Sequence, residues 1–408
     1  MNILILNHYA GSPYHGMEYR PYYLAKEWIK LGHDVTIVAA TYSHIRTNNT
    51  NYSKKITRET FDGIIYLWIK TRTYKSSGIK RFFNMLDYIK GIYLIIPKLI
   101  KEKFDVVIAS STYPLDNYPA YIIAKKSGAK YVYEVHDLWP LSPMEIGGYS
   151  KYHPFILNMQ WAENFAYKHV DKVVSILPCA EAHMQKHGLL TGKFAHIPNG
   201  ISLDELSKNE PLDENIRSLI PSDKFIVGYT GTFGVANSLN TLLEAAAILQ
   251  KINKEIFFVL IGKGPEKDNL TGLQKKLALN NCLILDAIPK NKVQSAIALF
   301  SISAIAWNNT PSLYRFGISP NKLFDYMYAG KPIIQAVEAG NDLVREADCG
   351  ITVAPQNPQA MVDAIIKLYN MPAEERKRLG ENGRRYVIEN HSYDVLGRHF
   401  LNIIFRIK

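Results

Sequence analysis

The sequence predicts an α/β protein built from two doubly wound parallel sheets, and three observations carry that prediction. Short apolar runs alternate with helix-length amphipathic stretches along the chain, the pattern of parallel βαβ units whose strands are buried on both faces. At 408 residues the chain is too long for one ordinary core, so two domains of about 200 residues each are expected. The alternation also runs through twice, with a Pro-Asn-Gly turn signal inside "HIPNGIS" (196–202) between the two passes.

In the first pass, "NILILN" (2–7) reads as a buried strand with no basic segment before it, so no signal peptide is expected. "YRPYYLAKEWIKLG" (19–32) is the first helix, ended by Gly32. Strands follow at "DVTIVAA" (34–40), "GIIYLWIK" (63–70), "DVVIAS" (105–110), "KYVYEV" (130–135) and "KVVSIL" (172–177). The second pass reads "FIVGYTG" (225–231), "FFVLIG" (257–262), "CLILDAI" (282–288), "ISAIAW" (302–307), "PIIQAV" (332–337) and "GITVA" (350–354). The domains are therefore expected at 1–198 and 199–385, with a terminal helix at about 386–408 packing back on the first.

Composition narrows the class. The chain is 47% hydrophobic and 21% charged, as in ordinary globular proteins. Its three cysteines, Cys179, Cys282 and Cys349, form no C-x-x-C, so metal or disulfide roles are not expected and a reducing, cytoplasmic compartment fits. Nowhere do enough apolar residues run together to span a bilayer. The net charge of +11 is concentrated: residues 46–103 hold 13 Lys/Arg against 4 Asp/Glu. Within them, "IKRFFNMLDYIKGIYLIIPKLIKEKF" (79–104) places Phe82, Phe83, Leu86, Ile89, Tyr93, Ile96, Leu99 and Ile100 at helical spacing between lysines. This predicts a basic amphipathic helix pair interrupted near Pro97. Its apolar stripe either packs on its own domain or meets an anionic bilayer, giving a peripheral membrane association. No nucleic-acid recognition motif accompanies the basic excess.

In open α/β sheets ligands bind beyond the carboxyl ends of the strands, and four such places carry candidate chemistry. After the first strand, Gly11 and Gly16 bracket a loop whose backbone N–H groups could meet an anion. After the fifth, "YEVHDLWPL" sets His136 and Asp137 at a strand end, where a histidine can donate to a phosphate or sugar hydroxyl or move a proton. The second half opens with "GYTGTFGVANSLN", whose Gly231 and Gly234 suit a close backbone approach to a diphosphate, and "LIGKGPEKDNL" adds a turn at Gly262 and Gly264 near a nucleotide base. The fourth is "PSLYRFGISPNKLFDYMYAGKP". Here Ser319 is the expected helix cap, Pro320 the first helical residue and Lys322 the third, with Arg315 converging on the same end. A cation near a helix N-terminus is disfavoured by about 0.3–1 kcal/mol. A diphosphate bound between lysine and helix would reverse that penalty through charge-assisted contacts.

Taken in order, the glycine loop, "EVHD", "PNG", "YTGTFG", "GKGPEKDNL" and "SPNKLFDYMYAGKP" resemble the family-four glycosyltransferases of the two-Rossmann GT-B fold, with two domains facing a central cleft. The resemblance spans nearly the whole chain and is nearest to the bacterial branch that builds O-antigen and capsule repeats, fucosamine transferases included. It implies a retaining, metal-independent transfer from a nucleotide-diphosphate sugar, most often UDP-linked, to a glycan or a lipid-linked saccharide. It places Gly16 near the donor phosphates and His136 beside the reacting sugar. Ser319, Asn321 and Lys322 fall on the diphosphate, and Asp325 takes the ribose-binding place of the second Glu of a Glu-x7-Glu motif. On the same footing Gly231, Thr232, Gly234, Gly262, Ile288 and Leu323 are expected on the donor side, and His15 and Asp137 on the acceptor side.

Two departures from the family pattern stand out. Gly317 occupies the place of the first glutamate, and Thr232 and Asn237 replace an Arg and a Lys, leaving diphosphate neutralisation to Arg315 and Lys322. Two rival readings stay open. One is a UDP-sugar epimerase of the same architecture, for which Glu134 and Asp137 are the only tempting carboxylate pair. The other is a non-catalytic nucleotide-sugar-binding protein.

Overall fold

The computed structural model describes residues 1–74 and 78–405 and divides into two compact units. The first comprises Met1–Asn199 and the returning segment Tyr393–Lys408, of which residues through Phe405 are described. The second is Gly200–Ser392.

The first unit holds strands β1 (Asn2–Leu6), β2 (Asp34–Ala40), β3 (Ile56–Phe61), β4 (Ile64–Ile69), β5 (Val106–Ala109), β6 (Lys130–Val135), β7 (Lys172–Ser175) and β8 (Phe194–His196), in the order β3-β4-β2-β1-β5-β6-β7-β8. The pairings are parallel except β3 with β4. The chain builds outward from β1 on one side, then restarts with β5 on the other, so the topological switch lies between β1 and β5. Asn7 and Ser110, the residues just beyond those strands, meet there: the Asn7 amide donates to the Ser110 carbonyl at 2.7 Å.

The second unit repeats the plan with β9 (Phe225–Thr232), β10 (Ile256–Lys263), β11 (Cys282–Leu285), β12 (Ile302–Ala306), β13 (Ile333–Ala336) and β14 (Gly350–Val353), ordered β11-β10-β9-β12-β13-β14. Every pairing is parallel, and the switch lies between β9 and β12.

Three sequence expectations need correction. The basic stretch forms one helix, Ile79–Leu99, that passes through Pro97. Proline there removes a single hydrogen bond within the last turn, which a helix tolerates far better than a break in its middle. Of the expected stripe only Ile96 and Leu99 are buried, Phe82, Leu86, Ile89 and Ile100 are half-buried and Phe83 and Tyr93 are exposed. The inward face runs instead through Met85, Tyr88 and Ile92, with Ile79 and Leu94 also exposed. The terminal return starts at Tyr393, not near 386, because Ser392 takes an extended conformation that separates helix Ala373–His391 from helix Tyr393–Phe405. That last helix buries Leu396, Phe400, Leu401 and Ile404 in the core of the first unit, and the Trp28 indole donates to the Gly397 carbonyl at 3.0 Å. The expected residues 406–408 of this helix lie outside the described residues. Finally, helix Asn321–Tyr328 starts one residue later than expected, since Pro320 keeps extended backbone and serves as the cap. Gly330, at φ +68°, follows its C-terminal end.

Candidate active site

Beside the switch point of the second unit the carboxyl ends of β9 and β10 lie side by side, with Gly231 and Gly262 in register. The two backbones approach so closely that a Cβ on Gly262 would sit 1.9 Å from the Gly231 carbonyl oxygen. Gly262 is thus required by strand packing itself, and Gly231 by its φ of +146°. A Cβ on Gly234 would meet the Asn237 and Thr232 side chains at 3.5 and 3.7 Å, the Thr232 side chain is exposed, and Ile288, beyond β11, is half-buried against the core.

Lys322, the second residue of helix Asn321–Tyr328, reaches across to this end of β9. Its Nζ donates to the Tyr229 hydroxyl at 2.9 Å and to the Asn237 side-chain oxygen. Tyr229 in turn donates to the Thr232 carbonyl at 2.8 Å, which also accepts from the Asn237 amide at 3.0 Å. Every direct partner of the ammonium is therefore neutral. Burial lowers the Lys322 pKa from its ordinary 10.5 to about 7. Three further donors sit at this end. The N–H groups of Asn321 and Lys322 precede any carbonyl the helix can offer them. The Trp307 indole, just beyond β12 and 6.0 Å from the Lys322 ammonium, has a buried N–H with no hydrogen-bond partner among the described residues.

Asp325, one turn along, is half-buried, and burial raises its pKa to about 6 against the pull of Lys290. Ser319 is buried and Asn321 exposed. Two expected members are not brought together with Lys322. Arg315 is exposed, with its guanidinium 4.8 Å over the ring of its neighbour Phe316. Leu323 points into the core with no exposure, and its N–H is spent on the Pro320 carbonyl. The missing glutamate also has a backbone correlate: Gly317 sits at φ +96°, a conformation that disfavours any side chain.

In the first unit His136, just beyond β6, has its Nε2 3.0 Å from the Ser110 hydroxyl and 3.3 Å from Glu134 Oε2. Glu134 lies two residues earlier on the same face of the strand. Its other oxygen accepts from Arg20 Nε at 2.9 Å, in a pair with 1% and 2% side-chain exposure. Burial pushes the Glu134 carboxyl up, but the Arg20 guanidinium, then His136 and Ser110, hold it well below the usual carboxylate range. Arg20 also donates to the carbonyls of Ile197 and Pro198, tying the start of the first helix to the segment that leaves this unit. His136 is thus oriented by Ser110 and Glu134.

The acceptor-side expectations fare differently. Asp137 is committed to its own turn, accepting from the Leu138 amide at 2.9 Å and the Ser142 hydroxyl at 2.5 Å. His15 is buried, with Nδ1 2.7 Å from the Ser12 hydroxyl and its ring against Phe61 and Trp68. The glycine loop is closed on itself: the N–H of Gly16 goes to the Ser12 carbonyl at 2.8 Å and that of Gly11 to Glu18 at 2.8 Å, so neither is offered to an anion. Gly16 is required by its φ of +96° and by Thr47, whose backbone nitrogen would lie 2.7 Å from an added Cβ. Tyr229, Trp307, Ser110 and Arg20 escaped the sequence reading. Ser110 and Trp307 had only the signal of position, one residue beyond a strand end at a switch point, while Tyr229 lies within β9 and Arg20 opens helix Arg20–Lys30.

Comparison with known proteins agrees with this architecture. The family description "Glycosyltransferase Family 4" matches residues 14–205, and "Glycosyl transferases group 1" matches residues 213–386. The alpha-D-kanosaminyltransferase of Streptomyces kanamyceticus is 24% identical over 297 residues, covering 70% of this chain and 72% of that one. Among solved structures, sucrose-phosphate synthase from Thermosynechococcus elongatus has a TM-score of 0.74 at 17% identity, covering 98% of this chain and 97% of that chain. Anabaena HepE in complex with UDP has a TM-score of 0.70 at 14% identity, with both chains covered in full. The chain is a glycosyltransferase of the group 1 and family 4 superfamily, built on the GT-B plan of two Rossmann-like domains.

Proposed function

We propose that the chain transfers a sugar, with retention, from a nucleotide-diphosphate donor to a lipid-linked saccharide. The observation that carries the donor half is the half-buried Lys322 ammonium, held by neutral groups at a helix N-terminus and beside the Trp307 N–H, which has no hydrogen-bond partner among the described residues. A diphosphate supplies the anion this arrangement lacks. The HepE complexes with UDP and with UDP-glucose support a uridine nucleotide as the first to test.

Breaking the sugar–phosphate bond develops negative charge on the leaving diphosphate. Lys322 and the first N–H groups of its helix meet that charge without reorganising, usually the largest single catalytic term. In this reading no metal takes part in the step, a donor phosphate oxygen takes the acceptor proton, and attack comes from the face the diphosphate leaves. Asp325 binds the ribose, with Gly231, Thr232, Gly234, Gly262 and Ile288 lining the donor side. His136, with the Ser110–Glu134–Arg20 chain behind it, orients a donor-sugar hydroxyl. The epimerase alternative loses its carboxylate pair, because Glu134 is tied to Arg20 and Asp137 to its own turn.

The acceptor half rests on helix Ile79–Leu99, where exposed Ile79, Phe83, Tyr93 and Leu94 lie among lysines. That face suits an anionic membrane surface, although no helix among the described residues is long and apolar enough to cross a membrane. Assignment to O-antigen or capsule assembly, and to a fucosamine-type or other deoxy or N-acetylated donor, rests on the motif resemblance alone.

The test is a thermal-shift panel of UDP, GDP, ADP and TDP with and without EDTA, on wild type and Lys322→Ala. A ligand at a hundredfold excess over its Kd stabilises the folded state by about 2.7 kcal/mol. A UDP-induced shift, insensitive to EDTA and lost in the variant, supports the donor site. No shift with any nucleoside diphosphate, in a protein that melts cooperatively, overturns it.

A further inference from the structure

Away from the residues assigned above, the first unit gathers a carboxylate and two imidazoles. Glu163 lies on helix Pro154–His169. His183 lies on helix Glu181–Lys186, and His187 follows at its end. The spacing of four residues puts both imidazoles on one helix face. One ligand atom from each of the three residues lies within 4.8 Å of the other two, and the imidazole rings are 4.6 Å apart. Glu163 is 2% exposed, and the ion pairs of the described residues give it His183, at 3.9 Å, but no lysine or arginine. A buried carboxylate needs a cation or a full set of donors.

Neighbouring groups hold the three side chains in place. Glu163 accepts from the Tyr167 hydroxyl at 2.9 Å and from the Gln160 amide at 2.8 Å. His187 Nδ1 lies 3.1 Å from the Asn164 side-chain oxygen and 3.0 Å from the Gln160 amide nitrogen. Donation from Nδ1 to Asn164 leaves the lone pair of Nε2 directed outward, the outer-shell arrangement usual for a metal-bound histidine. Both histidines are half-buried, so an ion has a way in from solvent.

We propose that Glu163, His183 and His187 bind a borderline divalent cation, Zn2+ in the first instance, which cross-links the helices on either side of β7. Two imidazole nitrogens and one carboxylate oxygen suit zinc, whereas Mg2+ and Ca2+ favour all-oxygen shells. Three protein ligands leave a fourth position for water. Zinc-to-ligand distances of about 2.0–2.2 Å require the cluster to contract by roughly 1 Å, within reach of imidazole rotation. The site plays no part in sugar transfer and does not depend on the function proposed above.

The experiment is calorimetric titration of chelator-treated full-length protein with Zn2+, alongside the visible absorption of the Co2+-loaded form. One equivalent bound, with a raised Tm and the intense d–d bands of low-coordinate Co2+, is expected. The paired variant His183→Ala/His187→Ala, and separately the shape-conserving Glu163→Gln, should each weaken binding at least tenfold. Stoichiometric Zn2+ binding that survives in both variants places the ion elsewhere and overturns the proposal. So does a wild type that melts cooperatively yet binds no Zn2+, or one that binds Mg2+ equally well.

Discussion

Donor binding should draw a proton onto the protein, and the size of that uptake follows from Lys322. Its pKa in the free protein is lowered to about 7 because burial disfavours the ammonium and neither hydrogen-bond partner is charged. A diphosphate placed against it favours the charged form and restores the pKa to near its ordinary 10.5. At pH 8 only about a tenth of the free protein carries this proton, so binding takes up about 0.9 proton; at pH 7 the uptake is about 0.5. Affinity should therefore fall as pH rises, by about fivefold from pH 7 to 8 and about ninefold from 8 to 9.

The assay is titration of UDP-glucose in two buffers of different ionisation enthalpy. The ligand is chosen because its diphosphate diester does not titrate in this range. Working above pH 7 keeps Asp325, with its pKa near 6, ionised throughout. Lys322→Arg, which cannot deprotonate, should lose the linkage. An uptake near zero at pH 8, or a wild type indistinguishable from the arginine variant, would refute the placement of the phosphates at Lys322.

Further predictions follow from other parts of the structure. Arg20→Met leaves Glu134 buried without its cation and should cost about 3–5 kcal/mol in urea unfolding; a loss under about 1 kcal/mol would mean that water or another cation takes over. Gly317→Glu restores the family's glutamate in sequence but places it at φ +96°, so it should destabilise by about 1–2 kcal/mol and leave turnover unimproved; a faster, equally stable variant would contradict this. Phe400→Ala removes a fully buried ring lying 5.2 Å from Trp28 and should cost about 3–5 kcal/mol, seen as a lower urea midpoint. Replacing Lys98, Lys101 and Lys103 with Gln should weaken binding to anionic vesicles, and unchanged binding would leave the helix only its packing role.

Much of the scaffold could be read from the sequence because parallel strands buried on both faces announce themselves as apolar runs. What escaped lacked that signature. In β3, "ITRETF" alternates along a sheet edge and has no fully buried residue, and β8 is only three residues long. The site was legible where a residue's chemistry was unusual for its position, as with a lysine at a helix start or a histidine at a strand end. It was illegible where the partner came from a distant segment. Tyr229 and Asn237 are 93 and 85 residues away from Lys322, and Arg20 is 114 from Glu134. The loop around Gly16 misled for the opposite reason: a sequence shows glycines and available N–H groups, but not that the turn consumes them itself.

The two ends of the second unit meet, since Ile201 donates to the His391 carbonyl at 2.8 Å and pairs with Ser392. Residues 200–392 are therefore a cassette threaded into the middle of another domain's chain, with both splice points at one place. This has a consequence for biosynthesis. Domains fold as they emerge from the ribosome, and the cassette has all of its residues before Tyr393 is translated. The first unit, although made first, lacks the Leu396, Phe400, Leu401 and Ile404 side chains that close its core until residues 393–405 are translated. A chain released after Ser392 would carry a finished second domain and an unfinished first one, reversing the order in which they were made.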